Sequence, residues 1–206
     1  SGTGASGTTI GGWPTWGSRL LEACSGALAA AAVQSSRRAP LPHRLGEAPQ
    51  LGHTPAGRPL AASAGTFVQS NLAAADRLLD ALLELTDPQR HQHVLELFSG
   101  SGTLGWCLAA AGARVTAVER GAEAVEAAAA LPAPPDGRFE PLAGDAAHAL
   151  ADAKGERPDA VVANPPRSGL GRARRALLEL APSRVVLACC SHSGFAGDAA
   201  ALWNAG

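Results

Sequence analysis

The chain has 206 residues, room for one good-sized domain and a small second one. Its net charge of −1 advertises no global basic field of the kind that marks many nucleic-acid-binding proteins. The cysteines at 24, 107, 189 and 190 form neither an evenly spaced disulfide framework nor a Cys-x-x-Cys metal pattern, which points to a reducing cytoplasm. No positively charged start with an apolar core is present, and no apolar run reaches the ~18 residues of a membrane span.

Residues 1–12 are mostly Gly, Ser and Thr, with little to bury, and read as a loose lead-in. Trp13-Pro14-Thr15-Trp16 marks a fold boundary. Leu20, Leu21, Cys24 and Leu28 then recur at helical period, and Ala31 to Gln34 can continue as a strand. Residues 37–65, with Arg37-Arg38, several prolines and the turn Pro55-Ala56-Gly57, suit short strands joined by turns. Residues 1–66 are therefore expected to hold a lead-in and a partial accessory α/β segment.

From 67 onward the pattern changes. Asn71 is placed as the N-cap of a helix whose apolar face is Leu72, Leu78, Leu79, Leu82, Leu83 and Leu85, and Asp87-Pro88 ends it. Strand-like runs at 93–98, 114–119, 138–143, 159–163 and 183–189 alternate with helical runs at 105–111, 121–131, 145–153 and 171–181. Such alternation predicts a Rossmann-like α/β domain over 67–206, a mostly parallel sheet covered by helices on both faces. Ligands in such sheets bind beyond the carboxyl ends of the strands.

The chemistry-bearing residues fall at those ends. The first strand runs into Phe98-Ser99-Gly100-Ser101-Gly102-Thr103, where glycines permit a sharp turn and close backbone approach to a ligand. Gly100, Gly102 and Gly105 also fit the G-x-G-x-x-G spacing of dinucleotide sites, a weak signal alone. Glu119 closes the second strand about 20 residues on, where a carboxylate can accept from ribose hydroxyls. Asp145 follows the third strand, either beside a ligand's base or as the N-cap of the next helix. Asn164-Pro165-Pro166-Arg167 follows the fourth, a rigid turn that frees the Asn164 side chain for a ligand. The fifth ends in Cys189-Cys190; strand alternation sends the pair to opposite faces, so only one of them should be core.

From Phe67 to about Leu202 the chain resembles the S-adenosylmethionine-dependent RNA uracil-C5 methyltransferases of the bacterial tRNA and 23S rRNA type. The resemblance rests on Phe67-Val68-Gln69-Ser70-Asn71, the glycine turn Leu97 to Thr103, Asn164 to Leu170, and the strand-end cysteine followed by Phe195-Ala196-Gly197-Asp198. It implies that Gln69 lies near the methyl donor and the target base. Phe98, Gly100, Gly102 and Thr103 would line the donor site, Glu119 would hold the ribose and Asp145 would sit by the adenine. Asn164 would lie by the donor's amino-acid end and the base, Arg167 would face the substrate, and Cys190 would be the nucleophile that adds to uracil C6 so that C5 can take the methyl group. The implied cofactor is S-adenosylmethionine, without the iron–sulfur cluster of some relatives. The implied partner is structured RNA, ribosomal ahead of transfer RNA, met by a cytoplasmic monomer off the membrane.

The chain departs from that pattern in three places. Asn164 stands where the family usually has Asp, and Cys189-Cys190-Ser191-His192 replaces Ser-Cys-Asn-Pro. The family's general base, a Glu in a His-x-Glu segment, has no counterpart before Gly206, so the last strands are expected to be missing. An amino-group methyltransferase reading of Asn164-Pro165-Pro166 ranks second, because Arg167 replaces the aromatic residue such enzymes use for stacking. A catalytically lapsed donor- or RNA-binding protein ranks third.

Overall fold

The computed structural model describes residues 30–33, 43–46, 49–63 and 66–205. The helix expected from Ser18, the Trp13 to Trp16 boundary and Arg37-Arg38 lie outside them. Two antiparallel pairs come first. β1 (Ala30–Val33) pairs with β2 (His43–Gly46), and β3 (Gln50–His53) pairs with β4 (Pro59–Ala62) around the Pro55-Ala56-Gly57 turn.

The main sheet has five parallel strands in the order β7-β6-β5-β8-β9, with β5 at His93–Leu97, β6 at Arg114–Glu119, β7 at Arg138–Ala143, β8 at Ala160–Ala163 and β9 at Arg184–Leu187. The chain runs outward from central β5 through β6 to β7, then returns to β8 on β5's other side and ends at β9. The strand order thus reverses beside β5, opening a crevice at its carboxyl end. The last strand is shorter than the 183–189 run, because after Leu187 the chain leaves the sheet toward Cys190.

Period-two alternation in β5 sorts its side chains between two cores. Val94 joins Leu79 and Leu82 of α1 (Leu72–Thr86) and Leu104 and Leu108 of α2 (Thr103–Ala110) on one face. Leu95 and Leu97 meet Leu150 of α4 (Ala146–Asp152) and Leu177 and Leu180 of α5 (Ala173–Leu180) on the other. Each fully buried Leu of this set contributes about 1.5–3 kcal/mol, so the two faces hold the sheet rigid beneath the crevice.

Asn71 caps α1 as expected, its side chain accepting from Ala74 N–H at 3.0 Å. Two of the helix's expected apolar residues, Leu78 and Leu85, are exposed instead, while Asp76 is buried. The hairpin explains Asp76. Thr54 Oγ1 and the Ala56 N–H donate to its carboxylate at 2.6 and 2.8 Å, and Arg58 adds a 3.1 Å ion pair before reaching on to Asp80. The β3–β4 hairpin, N-terminal to the boundary expected at 66, is bolted to α1 in this way. Ala61 of β4 also packs on Ala127 of α3 (Ala122–Ala129).

Candidate methyl-donor and nucleophile site

A cleft of about 1000 Å³ lies at the carboxyl ends of the sheet strands. Gln69, Phe98, Gly100, Thr103, Glu119, Asp145, Asn164, Arg167 and Cys190, separated by up to 121 positions in sequence, all line it. Gly102 does not. With φ +81 it makes the turn, and a Cβ there would lie 2.6 Å from the Phe139 ring.

The turn is tightly constrained. Phe98 has φ +58, rare for a side chain without a local hydrogen bond, and Gly100 follows at +56. A Cβ on Gly100 would meet nothing within 4 Å, so this glycine serves the backbone's conformation rather than packing. Ser99 Oγ and Thr103 Oγ1 are buried beside it with no partner among the described residues. Buried hydroxyls normally find one, so this pair fits a polar ligand held by the turn. Glu119 accepts from Gly100 N–H at 3.1 Å through one oxygen and from Gly121 N–H at 2.8 Å through the other. A carboxylate has about four lone-pair sites, which leaves Glu119 capacity for a hydroxyl-bearing ligand.

Gly105 also has a packing role. A Cβ there would come 2.3 Å from Glu96 Oε2 and 2.8 Å from Phe139. Glu96 points off β5 under α2, 3 % exposed, and burial pushes its carboxyl up to about 8 despite the Gly105 N–H. The third glycine of the motif thus makes room for a buried carboxyl, not for a ligand.

Asp145 is the N-cap of α4, accepting from Ala147 N–H at 3.0 Å, and it also lines the cleft. Burial opposes its ionisation, but the Ala147 and His148 N–H groups and Arg172 outweigh it and hold the pKa below the usual carboxylate value. Both sequence readings of Asp145 therefore apply to one side chain.

At the other end of the cleft the side chains are freer. Gln69, Asn164 and Arg167 are exposed. Cys190 is exposed and Cys189 half-buried, so neither is core, against the expectation for the pair. They leave the sheet before alternation could bury one. Burial, with the charge of Asp198 adding, pushes the Cys189 thiol up, and Cys189 does not line the cleft. Buried Cys107 is pushed up to about 11. Among the described cysteines, Cys190 is the one that the cleft can use.

Sequence reasoning passed over several lining residues. Arg120 and Arg172 join Arg167 as exposed cations on the cleft, a local basic rim concealed by the chain's near-zero net charge. Thr54 and Leu60 bring the hairpin into the wall, a tertiary placement without a local signal. Ser191, outside the cleft lining, caps α6 (His192–Asn204), accepting from Gly194 N–H; a serine before a helix is the signal that could have shown it. Gly194 and Gly197 masked that helix.

The family profile of the methyltransferase small domain matches residues 58–183, more than half of the chain. The chain belongs to the methyltransferase small domain family. Relatives of this methyltransferase domain include the 23S rRNA (uracil(1939)-C(5))-methyltransferase RlmD of Pseudomonas aeruginosa, 33% identical over 193 residues, or 91% of this chain and 42% of the relative. The uncharacterized RNA methyltransferase TTE1797 of Caldanaerobacter subterraneus is 32% identical over 66% of this chain and 30% of its own length. The chain thus spans less than half of either relative. Among solved structures, the Pyrococcus abyssi tRNA (uracil-54, C5)-methyltransferase in complex with S-adenosyl-L-homocysteine superposes with a TM-score of 0.63 at 22% identity, covering 83% of this chain and 42% of that one. A precorrin-8W decarboxylase from Methanobacterium thermoautotrophicum gives 0.54 at 17% identity, covering 68% and 75%. The parallel sheet is therefore the Rossmann-like methyltransferase fold, and the fold alone does not select the substrate.

Proposed function

We propose that this methyltransferase domain transfers a methyl group from S-adenosylmethionine to C5 of a uridine in RNA, with Cys190 as the covalent nucleophile. One observation carries the reading: an exposed thiol, Cys190, opens on the same cleft as the glycine turn, Glu119 and Asp145. The names of the RNA methyltransferase relatives support the substrate class, and RlmD supports ribosomal over transfer RNA.

The bound donor supplies an electrophilic methyl group on a sulfonium. Ser99, Thr103 and Glu119 offer the polar groups that would hold it, and Asp145 stands where the next strand ends. Cys190, as thiolate, would add to C6 of the uracil; the electron pair moves to C5 and O4, and C5 would take the methyl group as the sulfonium S–CH3 bond breaks, leaving S-adenosylhomocysteine. Loss of the C5 proton and departure of the thiolate then restore the ring. Gln69 and Asn164 carry amide groups suited to the uracil edge, and Arg120, Arg167 and Arg172 meet phosphate. No residue of this chain is assigned the proton removal.

The test is incubation with S-adenosylmethionine and 23S rRNA fragments carrying 5-fluorouridine, whose C5 fluorine cannot leave as a proton. A denaturation-resistant protein–RNA adduct is expected. Its absence, or its persistence in Cys190→Ala, overturns the uracil mechanism. Methylated exocyclic amines without an adduct would instead support the amino-group reading.

A further inference from the structure

Asp198 is a carboxylate 3 % exposed, and the donor site does not contain it. It lies on α6, which starts two residues after Cys190. One of its oxygens accepts from Leu170 N–H at 2.7 Å, and the other stands 3.5 Å from Arg174 Nη1. Leu170 closes the loop that begins with Asn164, a loop folded on itself by a 2.8 Å bond from Gly169 N–H to Pro166 O.

Two glycines make the approach possible. A Cβ on Gly169, which has φ +77, would sit 2.5 Å from Asp198 Oδ2. On Gly194 it would sit 2.9 Å from Arg167 O and 3.3 Å from Gly169 N. The first turn of α6 therefore lies flush against the backbone of the Asn164 loop, with a buried charge fastening the two. At the sheet itself, Ala188 N–H donates to Ala163 O at 2.9 Å, so the chain entering Cys190 and the chain entering Asn164 leave adjacent strands together.

We propose that Asp198 is a positioning residue that fixes the Cys190 segment relative to the Asn164–Arg167 loop, and so sets how the thiol meets a base held by that loop. The role rests on the uracil-C5 reading above. The Asp198 carboxylate touches neither Cys190 nor the glycine turn. Its loss should loosen the nucleophile half of the cleft and leave the donor half intact, and misplacement of a reacting group by about 1 Å costs on the order of 100-fold in rate.

The test compares wild type, Asp198→Ala, Asp198→Asn and Gly169→Ala by three readouts. Amide hydrogen exchange should quicken at Leu170 and across 190–195 in Asp198→Ala, with β5 to β7 unchanged. The rate of adduct formation on 5-fluorouridine RNA should fall roughly 100-fold, while the dissociation constant for S-adenosylhomocysteine by calorimetry stays within about twofold. Gly169→Ala, which keeps the carboxylate but displaces it, should repeat the defect. Asp198→Asn, which still offers an acceptor to Leu170 N–H, should recover part of the rate. Equal losses of adduct rate and donor affinity would mark Asp198 as merely structural and overturn the role, as would exchange confined to Leu170 or a wild-type adduct rate in Asp198→Ala. A wild type that forms no adduct overturns the uracil reading itself, and the positioning role with it.

Discussion

The two halves of the cleft are held in different ways. The proposed donor half, at the ends of β5, β6 and β7, is fastened by backbone: Glu119 takes two main-chain N–H groups and Asp145 caps a helix. In the proposed nucleophile half, at the ends of β8 and β9, Asn164, Arg167 and Cys190 are exposed, and the buried carboxylate of Asp198 ties the two segments from behind. A ligand common to many chemistries can be met by a fixed cradle. On the proposed function, a base presented by a folded RNA would be met by side chains that reach out, steadied by something out of reach of the solvent.

The largest effect expected from breaking this comparison is at Cys190. Cys190→Ala should abolish adduct formation, a loss of at least about 10³-fold as for other nucleophile removals, with donor affinity by calorimetry untouched. Glu119→Gln should do the reverse. Replacing a charged acceptor by a neutral one should weaken S-adenosylhomocysteine binding roughly tenfold or more, with Cys190 alkylation by iodoacetamide unaltered.

Gly105→Val should act on stability, since its side chain must displace Glu96 and Phe139; overpacking of this kind costs about 1–3 kcal/mol, read as a lowered urea midpoint. A further prediction, read by pH rather than by packing, concerns Glu96. Its carboxyl, raised by burial to about 8 from 4.5, binds a proton in the folded chain over a range where the unfolded chain has lost it. Folding stability contributed by this group is therefore fully present below pH 4.5, falls as pH rises toward 8, and is level above. Glu96→Gln cannot ionise, so its Tm relative to wild type should climb across that window and then flatten. A constant difference would mean that the carboxyl is not protonated in the native state.

Much of this organisation could be read along the chain. The apolar runs of β5 to β9 and the turn residues between them are local signals, and Asn71 and Asp145 were legible as caps because capping needs only a short polar side chain at a helix start. What escaped depends on distant segments. Nothing near Asp76 in sequence announces that it is buried, because its partners Thr54, Ala56 and Arg58 arrive from a hairpin about 20 positions upstream. Leu78 and Leu85 matched the helical period yet are exposed, Leu78 on the wall of the cleft. Asp198 lay in a motif quoted for its resemblance, but its task appears only where Gly169 comes alongside.

The ring of Phe139 lies over both Gly102 and Gly105, from a strand more than 30 positions away. The spacing of glycines in the turn is therefore partly the footprint of an aromatic side chain. Those three positions share one volume: a methyl group gained on either glycine must displace the ring, and it also meets Ala128 from Gly102 or the Glu96 carboxyl from Gly105. A smaller residue at 139 would relieve only part of that crowding, because Gly102 also holds a left-handed backbone and Gly105 also faces the buried Glu96 carboxyl.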